Sequence, residues 1–113
     1  MSRRADAWTA GAVVAVALHF APAAQAGGDP PDPMAGEALA AARCAECHAI
    51  GRTGESPVAV APPFRTLQDL WPLANLAEAL AEGIVTGHPQ MPETRLEPGE
   101  IDAFLAYLET LSR

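Results

Sequence analysis

The sequence contains no lysine; all seven basic residues are arginine, and the formal charge is −7. Beyond residue 26, five arginines stand against thirteen carboxylates. Nucleic acid and anionic membrane surfaces are therefore poor partners. Acidic balance of this kind is also how many secreted bacterial proteins stay soluble. Large apolar side chains are scarce as well. Hydrophobic residues make up 50% of the chain, which excludes a disordered tail. Much of that half is alanine, however, and a large share of it lies in the first 26 residues. The part that follows can bury only a modest fraction of its surface, and such chains often need a staple, a metal or a cofactor. No period-two pattern of useful length is present, no repeat is visible, and 113 residues allow one domain at most.

Cysteine occurs only twice, in Cys44-Ala45-Glu46-Cys47-His48. Two thiols three residues apart, followed at once by an imidazole, form the attachment pattern of a c-type haem. Each thiol can add across one vinyl group of the porphyrin, and a two-residue gap lets one tight turn present both sulfurs to the ring edge. His48 then falls under the iron as proximal ligand. A second, soft or nitrogen ligand is expected downstream. Met91 fits, in Gly87-His88-Pro89-Gln90-Met91-Pro92, a segment stiffened by two prolines. His88 is the competing ligand. Three other readings of the cysteines exist. A zinc site would use Cys44, Cys47, His48 and His88, but adjacent Cys47 and His48 are awkward on one tetrahedral ion. A thioredoxin-like redox pair needs a βαβ setting that is absent. A Cys44–Cys47 disulfide would close a very small, strained loop.

Residues 1–26 read as a cleavable export signal: Arg3 and Arg4, an apolar run over Ala10–Ala21, and Ala24-Gln25-Ala26 as cleavage site. The run is short for a membrane span, although an uncleaved anchor is the alternative. Residues 27–33 are a Pro/Gly linker, and 34–113 form the folded domain. The first helix is predicted from Pro33 to Ala42, capped by Asp32. A loop over Ala49–Pro63 follows, then a short helix at Phe64–Leu70. Trp71-Pro72 opens a further helix through Glu82, stopped by Gly83. The segment from Ile84 to Pro98 is irregular. The last helix runs from Pro98 to Leu111, with Glu97 at the cap and Ile101, Phe104, Leu105, Leu108 and Leu111 as its buried stripe.

In these motifs, together with Gly36, Ala61-Pro62-Pro63-Phe64 and the terminal Phe104-Leu105-Ala106-Tyr107-Leu108, residues 36–111 resemble a class I cytochrome c of the small bacterial monohaem type. The resemblance implies an all-α, cytochrome c-like fold of about four helices wrapped around one covalently attached haem c. It implies that the first and last helices cross near a right angle, with Gly36 at the crossing facing Phe104 and Tyr107. It also implies that the Pro62 carbonyl accepts a hydrogen bond from His48 Nδ1, that Phe64 walls the ring, and that Trp71 donates to a haem propionate or fills the pocket edge. Mitochondrial members carry a ring of lysines; this chain has none, so their partner face does not carry over.

The functional expectation is a monomeric periplasmic electron carrier, not an enzyme. It would pass one electron between a dehydrogenase or quinol-oxidising complex and a terminal oxidase or reductase. Its redox protein partners are expected to be basic rather than acidic. Two alternatives stay open: a dedicated cytochrome subunit of a larger dehydrogenase complex, and a gas- or peroxide-binding haem protein in which Met91 dissociates.

Overall fold

The computed structural model describes residues 28–84 and 90–112; the expected export signal and His88 lie outside these. Four α-helices make up the described part: α1 (Pro33–Arg43), α2 (Leu67–Leu70), α3 (Leu73–Glu82) and α4 (Pro98–Leu111). A 3-10 turn at Phe64–Thr66 runs directly into α2. The architecture is all-helical, as expected. Among the described residues the one departure is an isolated antiparallel bridge between Ile84 and Thr94, inside the segment expected to be irregular.

The helix ends follow from local chemistry. Asp32 accepts a hydrogen bond from the Met34 amide at 2.9 Å, and Pro33 occupies the first turn, where its missing N–H costs nothing. Gly83 ends α3 with φ +103, a conformation that side chains with a Cβ resist, and a Cβ there would lie 2.6 Å from Glu93 Oε1. At α4 the Glu97 amide donates to Glu100 Oε2 at 2.9 Å, one half of a capping box.

The core forms where α1 and α4 meet. Ala40 and Leu108 are fully buried, and Ile101, Phe104, Tyr107 and Leu111 are nearly so. Tyr107 joins the expected α4 stripe, while Leu105 packs against the cluster only partly buried. The helices approach so closely at Gly36 that an added Cβ would sit 2.0 Å from the Ala103 carbonyl oxygen and 2.8 Å from Tyr107 Cβ. The crossing thus sets Gly36 against Ala103 and the expected Tyr107. Phe104 lines the central cavity and stacks edge-on against Phe64, with ring centroids 5.4 Å apart.

The long connection between α1 and the 3-10 turn is tied down by side chains. Tyr107 Oη donates to the Ile50 carbonyl at 2.7 Å, and the Ala49 amide donates to Ser56 Oγ at 3.0 Å. The Phe64 amide returns to the Ala49 carbonyl at 2.9 Å. These bonds hold residues 49–64 as a strap beside the turn that follows α1.

Candidate functional site

The end of α1 builds the first part of the site. Its last turn closes with the Cys44 and Ala45 amides both donating to the Ala40 carbonyl. A tight turn follows, in which the Cys47 and His48 amides both donate to the Cys44 carbonyl, at 3.1 and 2.9 Å. This turn brings Cys44, Cys47 and His48 to one side of a central cavity of about 700 Å3, which they line. Neither cysteine is in a disulfide. Burial pushes the Cys44 thiol above its ordinary range; the Arg43 guanidinium partly offsets this, and neighbouring Cys47 adds to it. A raised thiol is the reverse of what a thioredoxin-like nucleophile requires.

The strap supplies the second part. His48 Nδ1 donates to the Pro62 carbonyl at 2.8 Å. That bond fixes the tautomer and the ring direction, and leaves Nε2 as the ring nitrogen with a free lone pair. Phe64 is buried beside it, ring centroids 5.1 Å apart.

The third part comes from the segment after α3. Gln90, Met91, Pro92 and Thr94 all line the same cavity. The structure therefore brings together Cys44, Cys47, His48, Pro62, Phe64, Trp71 and Met91 around one space. Trp71 is half exposed, at 49%, and with Val60 at 57% it marks the open edge. The zinc alternative would need His88, which lies outside the described residues; among the described residues no three His, Cys, Asp or Glu side chains group to hold an ion.

The residues fit a haem. The cavity falls in the usual range of cofactor pockets. Its lining is mainly apolar, including Leu39, Leu67, Leu76 and Phe104. Two thiols, one oriented imidazole and one thioether line it together, and this donor set suits an iron porphyrin.

Sequence reasoning did not single out Arg43, which lines the cavity, or Arg95, to which it is hydrogen-bonded. A basic residue in the last turn of α1, directly before Cys44, was a readable signal for the first. The contact of Arg43 with the Arg95 backbone had none, because it depends on how two remote segments meet.

Among comparisons with known proteins, the family model described as Cytochrome c matches residues 33–112. No curated protein matches the chain.

Proposed function

Since the chain belongs to the cytochrome c family, whose members carry electrons on haem, we propose that it is a periplasmic single-haem carrier. It would shuttle one electron between a dehydrogenase or quinol-oxidising complex and a terminal oxidase or reductase. The observation that carries this reading is the convergence of Cys44, Cys47, His48 and Met91 on one apolar cavity.

Bound haem supplies the Fe(II)/Fe(III) couple. The chain's own residues do the rest. Cys44 and Cys47 would hold the ring through thioether bonds. His48, aimed by the Pro62 carbonyl, would donate Nε2 to the iron. Met91 would donate a neutral sulfur, which favours the reduced state and raises the potential. Phe64, Leu67 and Phe104 keep water from the interior of the cavity. Val60 and Trp71 leave one edge accessible, where an electron can pass to a docked partner.

Placement in the periplasm rests on residues 1–26, read as an export signal. No helix among the described residues is long and apolar enough to cross a membrane. Haem attachment to this motif is expected to require export. Expressed without residues 1–26, the chain should accumulate without haem, measured by absorption of the dithionite-reduced protein. A fully haem-loaded product from the cytoplasm would count against export.

Partner choice follows from charge. Thirteen carboxylates outnumber five arginines beyond residue 26. At least three of those arginines are engaged within the fold: Arg43 with Glu100 and the Arg95 carbonyl, Arg52 with the Thr110 carbonyl, and Arg95 with the Glu82 carbonyl. No broad positive face is available to attract an acidic partner. A basic redox protein would be steered in, and the steering weakens as salt shortens the Debye length to ~10 Å at 0.1 M. Stopped-flow electron exchange with a lysine-rich partner is thus expected to be fast at low salt and slow at high salt. Exchange with an acidic partner should run the other way. Salt-independent rates with the basic partner would leave the exposed Val60 and Trp71 edge as the docking determinant.

A further inference from the structure

Two arginines outside the ligand set stand at the base of the segment that carries Met91. The ends of that segment meet at the Ile84–Thr94 bridge. There the Ile84 amide donates to the Thr94 carbonyl at 2.9 Å, and the return bond is long, at 3.4 Å. One residue on, Arg95 sends its guanidinium back to the end of α3, where Nη2 donates to the Glu82 carbonyl at 2.5 Å. The Arg95 carbonyl accepts in turn from Arg43 Nη2 at 3.2 Å. Arg43 Nη1 lies 3.7 Å from Glu100 Oε2, the same oxygen that accepts from the Glu97 amide at the start of α4.

We propose that Arg43 and Arg95 are positioning residues for Met91, and that the chain of contacts Glu100–Arg43–Arg95–Glu82 sets how firmly Met91 is held in the cavity. A thioether is a weak ligand and cannot by itself immobilise the segment that bears it. Among the described residues, the backbone bonds at the base of the segment are that bridge, with one long bond, and the Leu96 amide on the Leu80 carbonyl at 3.0 Å, both three or more residues away from Met91. Hydrogen bonds from a guanidinium are roughly twice as strong as neutral ones. Both cations also lie at carbonyl ends of helices: Arg43 in the last turn of α1, and the Arg95 guanidinium at the last residue of α3. Each therefore lies near the negative end of a helix dipole, and the Arg95 guanidinium takes up a carbonyl at the end of α3. Arg43 directly precedes Cys44 and lines the cavity, so the network links the attachment turn to the Met91 segment along the cavity wall. Both side chains belong to exposed residues, so removing either acts on the segment and not on the packed core.

The proposal rests on Met91 as the second iron ligand. The test is an imidazole titration of the ferric holoprotein, followed by loss of the far-red sulfur-to-iron band, because imidazole competes with Met91 for the iron. Arg95→Gln and Arg43→Gln are each expected to bind imidazole about tenfold more tightly than the parent, a shift of about 1.4 kcal/mol. Arg43→Lys should restore most of the parent affinity, since it keeps the charge and a donor. Arg52→Gln, altered at a residue that donates to the Thr110 carbonyl near the end of α4, should titrate like the parent. Gln variants that melt at lower temperature but bind imidazole as the parent does would show a purely structural role and overturn the proposal. A parent protein without a Met91-dependent band would overturn the ligand reading, and this proposal with it. A parent with that band, and variants that titrate unchanged, would overturn this proposal alone.

Discussion

Replacing both Cys44 and Cys47 by alanine is expected to leave the chain largely unfolded. Without the thiols no covalent attachment can form, and the core must close around the cavity unaided. That cavity is about 700 Å3 and is lined mainly by apolar side chains. At the penalty known for unfilled cavities, about 24 cal/mol per Å3, the upper bound is ~17 kcal/mol. Water entering at the Trp71 edge lowers the figure. Even half of it is comparable to the ~5–15 kcal/mol by which whole domains are stable. Little else can compensate, since among the described core residues only Ala40 and Leu108 have no exposed surface. Far-UV circular dichroism of the purified double variant should show helix content well below that of the parent. A cooperative thermal transition in that variant, lacking haem, would contradict the argument that the cofactor completes the core.

Met91→Ala is the second large effect. The parent ferric protein should show a weak sulfur-to-iron band in the far red, and the variant should lack it. With the thioether gone, the iron should accept exogenous ligands, and imidazole affinity should rise on the order of a hundredfold, about 2.8 kcal/mol. Carbon monoxide should bind the reduced variant and leave the reduced parent unchanged. Binding to the parent would instead favour a gas-binding role in which Met91 dissociates. Persistence of the far-red band in the variant would mean that another residue donates to the iron. The variant is expected to stay folded, because two thioether bonds at Cys44 and Cys47 and ligation by His48 would hold the cofactor independently of Met91.

The helices were legible because their signals are local. Asp32-Pro33, Gly83 and Glu97-Pro98 each punctuate the chain through the conformation or capping of one or two residues, and the observed ends fall at or within one residue of those marks. The attachment motif was legible for the same reason: its chemistry lies within five consecutive positions. What could not be read was where remote segments meet. α4 faces two neighbours at once. Ala103 and Tyr107 are its surface toward Gly36, and Phe104 is its surface toward the cavity. A single periodic stripe does not separate those duties. The Ile84–Thr94 bridge is one residue pair long and leaves no alternating pattern. The contact between Arg43 and the Arg95 carbonyl involves a backbone acceptor, which every residue possesses, and nothing in composition marks it.

The contact of Gly36 with Ala103 has a kinetic meaning. Nearly the whole domain lies between these two residues, so forming the crossing closes one very long loop, at an entropic cost on the order of 4 kcal/mol. Such closure slows folding, because the cost falls due before most interior contacts can repay it. Neither end of the domain has a local substitute for its partner: Ala40 and Leu108 belong to the same buried cluster, on helices at opposite ends of the domain. The chain is therefore built to fold late and as a single unit. A ribosome must release almost all of it before the first helix meets the last.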